Sequence, residues 1–329
     1  ETVKELLAKQ TGLLERKKAI EATTSQKVYA GTFAKPPMTF RLRRGDHKQR
    51  LEQVTPDILE ALGTLEMDAQ TPESQRRHTL AKAITAKDNP LTARVMVNRI
   101  WHYHFGSGLV NTPSDFGKMG ERPSHPRLLD YLANEFVESG WSIKHMHRLI
   151  LLSHTYRQSA TIDNPAARRI DADVRLLWRF PARRLEAEAV RDSVLQVSGV
   201  LRHEMGGPGF QLFKPRQGLD LYQPIEEFGP SQWRRLIYAH KVRMAQDGIF
   251  TAFDMPDCGQ LCSKRSRSTT PLQALNLFNS HFMVQQAELF AKRVQHDAGE
   301  SVQAQVARVF ELGLNRSPGR VEASASEQL

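Results

Sequence analysis

Three helices in residues 89–158 constrain this chain more than any other feature, because residue type marks both their starts and their stops. Asn89 followed by Pro90 is an N-cap with a residue whose missing N–H costs nothing in a first helical turn. The apolar period then runs to Phe105 and stops at Gly106, a residue suited to the left-handed end of a helix. Ser124 with Pro126 predicts a second helix, with Leu128, Leu129, Leu132, Phe136 and Val137 on one stripe and Gly140 as its stop. Ser142 caps a third, in which Ile143, Met146, Leu149 and Ile150 are expected to be buried.

The rest of the chain extends the pattern. Residues 2–22 have helical periodicity, with Val3, Leu6, Leu7, Leu13, Leu14 and Ile20 on a stripe that needs something to pack against. Residues 27–30 and 38–43 read as short strands, and Arg44-Gly45-Asp46 as a turn rather than an adhesion motif. From Glu73 onward the chain is expected to be mostly helical. A fourth helix is predicted over 183–198, closed by Gly199. Thr270, Pro271 and Gln273 form a capping box with proline at the first helical position. Another helix follows with Met283, Ala287, Phe290 and Val294 on one side, then a last one over 302–312 before a loose tail. Between the fourth helix and Thr270, Gly206-Gly207-Pro208-Gly209, Lys214-Pro215 and Gly229-Pro230 punctuate a long irregular zone, the kind of loop that usually covers a site. The expected fold is mainly α: a multi-helix globular bundle with a small N-terminal β element and a long irregular loop region. Its divisions are an amphipathic helix (1–22), a strand-turn segment (27–63), a helical domain (73–317) and a tail (318–329).

Of the 329 residues 40% are hydrophobic and 25% charged, which permits an ordinary core. The 46 Lys and Arg against 36 Asp and Glu leave a net charge of +10. That surplus favours acidic partners or simply a solvated basic surface. The longest charge-free run, residues 268–287, is broken by Pro271 and carries several amides, so no membrane span is expected. Glu1 opens inside a helical pattern, which reads as part of a longer polypeptide and leaves compartment open. Cys258 and Cys262 are spaced CxxxC: two thiols, a local disulfide or half of a metal site are the open readings.

Chemistry is less well marked. Val97, Ile100, Trp101 and His104 recur at helical spacing, so His104 is expected to face the core, as a hydrogen-bonded structural histidine or as a general base. His102 is about 200° around the helix from His104, so the two cannot share a metal, nor can His145 and His147. His154 can join His104 if their helices pack. No metal site is predicted. Arg94 and Asn98 lie one turn apart on another side of the same helix. Arg184 and Glu188 are spaced for an intrahelical ion pair, with a buried network or an anion clamp as alternatives. Gln273, Asn276 and Asn279 sit at i, i+3 and i+6 in an apolar helix and must bind loop backbone or line a pocket. Lys264-Arg265-Ser266-Arg267 and Trp233-Arg234-Arg235 carry charge suited to phosphate, but no DNA- or RNA-binding pattern accompanies them. Signatures of serine hydrolases, P-loops, zinc proteases and dinucleotide binding are absent.

Four ordered blocks point to a family: LTARVMVNRIWHYHFGSGLVNTPSDFG, HPRLLDYLANEFVESGWSIKHMHRLILLSHTYRQS, RFPARRLEAEAVRDSVLQVSG and TTPLQALNLFN. With MTFRLRRGDHKQRLEQVTP upstream, residues 27–317 resemble the large planctomycete-type domain of unknown function. The resemblance implies an extracytoplasmic, periplasmic or secreted multidomain protein whose other domains include a c-type cytochrome. No CxxCH stands in this chain, so haem is expected outside it and no cofactor within it. The resemblance also implies a shared role for Arg94, Asn98, Arg99, His104, His154, Arg157, Arg183, Arg184, Glu188, Thr270, Gln273 and Asn279. An oxidising compartment favours a Cys258–Cys262 disulfide.

The leading expectation is an accessory, binding or scaffold module serving upstream domains of its own polypeptide, with an anionic or polysaccharide ligand. Arg94, Asn98, Arg99, Arg157, Arg183, Arg184, Gln273, Asn276 and Asn279 are its candidate ligand-binding residues. One alternative is a hydrolase or lyase on a carbohydrate-like polymer, with His104, Glu188 or His154 as acid or base. Another is nucleic-acid binding.

Overall fold

The computed structural model describes residues 2–24, 31–65, 67–68, 70–215, 221–242, 245, 248–257 and 259–328. It divides into a unit of residues 1–94 and a larger one of residues 95–329. In the first, α1 (Val3–Thr24) leaves Val3, Leu6, Leu7, Leu13, Leu14 and Ile20 exposed. The strand expected at 38–43 is β1 (Thr39–Leu42), which pairs antiparallel with β2 (Arg50–Val54). Sequence reading left β2 unassigned, since its Arg, Glu and Gln blur the alternation that marks a half-buried strand. The other expected strand, 27–30, lies outside the described residues. The turn between β1 and β2 places Arg44 and Gly45 in the left-handed region (φ 53° and 82°), and Asp46 accepts the Lys48 amide to close it. α2 (Glu73–Ile84) follows.

Asn89 does cap a helix, but further along than expected. Its side chain accepts the amides of Leu91 and Thr92, so α3 (Thr92–Phe105) begins two residues beyond Pro90. The helices after it in the larger unit are α4 (Pro126–Glu138), α5 (Ile143–Leu152), α6 (Pro165–Ile170), α7 (Ala187–Ser198), α8 (Gly248–Thr251), α9 (Pro271–Asn279), α10 (His281–Ala298), α11 (Val302–Leu314) and α12 (Arg320–Glu327). A short parallel pairing of β3 (Phe210–Gln211) with β4 (Ala239–His240) lies in the irregular zone. The mainly α fold is therefore as expected, with four local corrections. Ser124 does not cap α4: its hydroxyl and amide both donate to the Leu109 carbonyl, holding the preceding loop instead. Ile143 is exposed, because it sits in the first turn of α5 before the buried stripe of Met146 and Ile150 begins. α7 begins at Ala187, not at 183, because Glu186 already has extended backbone. The expected loose tail is helix α12, fastened by Arg316 to Glu322 at 2.7 Å.

The core of the larger unit is the feature the sequence least prepared for. Ala187 and Leu195 of α7, Phe282 of α10 and Phe210, Leu212, Phe213, Phe228, Leu236, Phe250 and Phe253 of the irregular zone form one buried cluster. Arg191 of α7 lies within it, fully buried. The rings of Phe210, Phe282 and Phe250 surround its guanidinium at 5.1, 5.7 and 6.0 Å. It donates to the carbonyls of Arg234 (2.7 Å) and Gln232 (2.5 Å). Arg234 repeats the device, donating to Pro208, Glu204 and Gly206 carbonyls while lying 3.9 Å over the Tyr238 ring. Asp192 accepts the Leu236 amide at 2.8 Å. Residues with no regular ladder of their own thus have their carbonyls collected by side-chain donors, which satisfies groups that are costly to bury unpaired.

Replacing Arg191 by Met keeps much of the apolar volume but strands two buried carbonyls. The expected loss is roughly 3 kcal/mol, since each stranded group costs about 1–3 kcal/mol. Urea denaturation of Arg191→Met measures it; a loss below about 1 kcal/mol contradicts the role given to this guanidinium.

Candidate functional site

α3 and the loop after it form the polar centre of the larger unit. Asn98 is fully buried and pairs with one residue: its amide donates to the Val110 carbonyl at 2.9 Å and its carbonyl accepts the Val110 amide at 2.8 Å. This imitates a strand pairing and clamps the loop of residues 106–112 against the helix. Gly108 is required there, since a Cβ would lie 2.4 Å from the Val110 carbonyl oxygen and under 3 Å from both Asn98 side-chain termini. Asn98 thus has a structural assignment and no free group for a ligand.

Around the end of α3 the polar side chains fall into two groups. On one side, His104 is half-buried and its Nε2 lies 2.8 Å from Nδ1 of His147 on α5. The Tyr156 ring meets it edge-on at 5.6 Å. Burial, then the His147 and Arg183 charges, hold His104 below its ordinary value, so it stays neutral near pH 7. On the other side, His102 is 4% exposed, with a buried Nδ1 that lacks a partner among the described residues. Burial lowers its pKa as well, followed by the charges of Arg267, Lys264 and Arg183.

Residues 183–188 and 264–268 complete the second group. Arg265 Nη1 contacts Glu188 at 2.6 Å and Glu186 at 3.0 Å, and Arg267 reaches Glu186 at 3.4 Å. Burial works to raise the Glu188 carboxyl, but Arg265 outweighs it and holds the group below its ordinary value. An ionised, ion-paired Glu188 is a poor general acid. Lys264 Nζ donates to Asn111 at 2.9 Å. Arg183 is an exposed residue with no hydrogen bond or ion pair among the described residues; partial burial of its guanidinium and the neighbouring Arg267 hold its pKa below the ordinary value. Gly106 ends α3 at φ 84°, and Arg267 Nη1 and Arg183 Cδ occupy the space a Cβ would take, at 2.6 and 3.2 Å.

The expected intrahelical pair of Arg184 with Glu188 is not formed, because residue 184 precedes the helix. Arg184 donates instead to Asp254 (2.5 Å) and to the carbonyls of Ser268 and Leu185. Asp254 also accepts the amide and hydroxyl of Ser268. Gln273 joins this network, donating to Ala252 and Ser268 carbonyls at 2.9 and 3.1 Å, so the loop-backbone alternative holds for that amide. Asn276 lines a small cavity beside Arg191, Phe250 and Phe282, and Asn279 is exposed. His154 and Arg157 are exposed, and it is His147 that meets His104. Arg99 is half-buried, with a buried Nε lacking an acceptor among the described residues. Arg94 belongs to the first unit and donates to the Pro90 carbonyl at 2.5 Å. Cys262 is exposed and Cys258 lies outside the described residues. Among the described residues, no group of three or more His, Cys, Asp or Glu could hold a metal, and no helix is long and apolar enough to cross a membrane.

Sequence reasoning missed His147, Asp254 and the structural weight of Arg191 and Arg234. Only the last two carried a signal, as cations in apolar or aromatic surroundings. It noticed Arg265 and Arg267 only as a basic run, because the carboxylates they meet are some 80 residues away.

Two outcomes follow from this geometry. Asn98→Leu leaves the Val110 amide and carbonyl buried and unsatisfied, and is expected to lower stability by about 2–4 kcal/mol, read by chemical denaturation; an effect within 0.5 kcal/mol, the usual range for a surface site, contradicts the clamp. Asp254 is held below its ordinary value first by the Ser268 amide, then by the Ser268 hydroxyl and Arg184. A depressed carboxyl stabilises the fold fully above its unfolded value of about 4, and the contribution is lost as pH falls through the folded value. Stability measured from pH 6 to about 2 is therefore expected to fall less steeply in Asp254→Asn than in the parent; parallel curves contradict the assignment.

The model of one family, PSD1, described as a protein of unknown function (DUF1553), matches residues 76–329. Searches of the curated proteins and of the solved structures each give no match. The long match agrees with the four sequence blocks and covers α3 and both polar groups at its end. This chain belongs to the PSD1 family of proteins of unknown function.

Proposed function

We propose that this chain is an accessory module that holds a partner within an extracytoplasmic multidomain protein associated with c-type cytochrome domains, and is not itself a centre of turnover. The observation that carries the reading is the orientation of α9. Its amide Gln273 is buried and Asn276 half-buried, whereas Leu272, Leu275, Leu277 and Phe278 are exposed, Phe278 by 84%. A short helix that turns Gln273 and Asn276 inward and leaves Leu272, Leu275 and Phe278, at i, i+3 and i+6, outward presents an apolar stripe, the usual mark of an interaction site. Helix propensity does not call for this arrangement; the loop it serves does, through the Gln273 bonds to Ala252 and Ser268.

The residues that a hydrolase or lyase would use support the same reading. Within the larger unit, His104 meets His147 and Glu188 meets Arg265, each engaged separately rather than converging on one reacting position. Haem, in this reading, belongs to a neighbouring domain, and the compartment is periplasmic or extracellular.

Hydrogen exchange on the full native polypeptide, compared with this chain alone, tests the proposal. The amides of α9 are expected to gain protection in the full polypeptide and to lose that gain on Phe278→Asp. Equal protection in both forms, or glycan cleavage by this chain that disappears with His104→Gln, refutes it.

A further inference from the structure

We propose that the basic cluster at the end of α3 is a binding site for one oxyanion group, a sulfate or carboxylate carried by the module's ligand, held by Arg183, Lys264 and Arg267 beside His102. This deepens the accessory-module reading by naming what the module binds, and rests on it only for the claim that the anion is not turned over. Charge is the first argument. Arg183, Lys264, Arg265 and Arg267 gather around two carboxylates, Glu186 and Glu188. Arg265 takes the 2.6 and 3.0 Å contacts to both, while Arg267 keeps a single 3.4 Å contact. Among the described residues the Lys264 ammonium bonds only to the neutral Asn111 amide oxygen, and Arg183 has neither hydrogen bond nor ion pair. The carbonyl end of α3 offsets part of one cation by its dipole, which is the purely structural account of Arg267. It does not account for Arg183 beside it.

The second argument is a pair of buried polar atoms with no partner among the described residues. Among the described residues the Nε of Arg267 is buried without an acceptor, and Nδ1 of His102, whose side chain is almost wholly removed from solvent, is buried without a hydrogen-bond partner. The Arg267, Lys264 and Arg183 charges act on His102, so the orphaned ring nitrogen and the surplus cations belong to one place. Gly106 fixes that place: any larger residue would displace the Arg267 guanidinium from the helix end. Guanidinium forks match the paired oxygens of carboxylate and sulfate, and an ammonium adds a point charge. The two carboxylates within the cluster repel further phosphates, so it fits one isolated group and not the phosphate ladder of a nucleic acid.

The test is a thermal-stability titration of the chain with sodium sulfate and, in a second arm, sodium glucuronate, at ionic strength held constant with chloride. A ligand that binds the native state alone raises the melting temperature along a saturable curve. Saturation is expected in at least one arm, and the tighter arm says whether sulfate or carboxylate is the native group. Arg183→Gln removes a charge that makes no hydrogen bond or ion pair among the described residues, and is expected to weaken half-saturation at least about tenfold, the scale of one charge-assisted hydrogen bond. Arg267→Gln should do the same if it folds, and Lys292→Gln on α10 should change nothing. A linear, unsaturated rise, an equal response in Arg183→Gln, or binding confined to an oligonucleotide overturns the oxyanion site. Those results leave the accessory-module reading standing, whereas turnover of a glucuronate-bearing glycan would sink that reading and leave the site intact.

Discussion

A fully buried guanidinium organises the larger unit of this protein. Arg191 enters an aromatic enclosure from α7 and gives its protons to main-chain carbonyls of a segment that makes almost no regular structure. Burying such a cation is costly unless its donors are used, and burying those carbonyls is costly unless they find donors. Each cost removes the other only when both are present, so α7 and the irregular zone are committed to one mutual arrangement. Arg234, Arg184 and Gln273 extend the logic to neighbouring stretches of backbone. A core made this way does not rest on apolar packing alone, which explains how so long a loop can occupy the centre of a unit instead of its surface.

That arrangement also decides what is left over for function. Asn98, Arg184 and Gln273, all candidates for ligand contact on sequence grounds, are engaged by backbone. Among the groups left outward are the leucines and Phe278 of α9 and the cations at the end of α3. The first follows from the inward commitment of Gln273. The second follows from Gly106, which leaves room for Arg267 beside Arg183. Function is thus read most directly from groups that the fold does not consume.

Much of the helical framework was legible because its signals are local. Gly106, Gly140 and Gly199 end helices in the left-handed conformation, and Ser142 and Gln273 cap where their neighbours suggested. What failed was non-local. Residues 183–186 have helical composition but stand outside the helix, because Arg184 is drawn to Asp254 and Ser268 from a distant part of the chain. β2 escaped notice because its partner, and not its own pattern, makes it a strand. The histidine pairing went to His147 instead of His154, since periodicity orders residues around one helix and says nothing of which neighbour it meets. Arg191 stands among apolar residues of α7, but only three phenylalanines scattered over some 70 residues reveal it as core.

Native-state hydrogen exchange under increasing denaturant measures the central claim most directly. The amides of Arg202, Ile225 and Leu236 in the irregular zone are bonded to Trp233, Leu212 and Asp192. If buried side-chain donors bind this zone to α7, those amides exchange only with the global opening that also frees the α7 amides such as Leu195, in one cooperative unit. Exchange of the zone at a much lower free energy, while α7 stays protected, would mean the loop is draped over a core that stands without it.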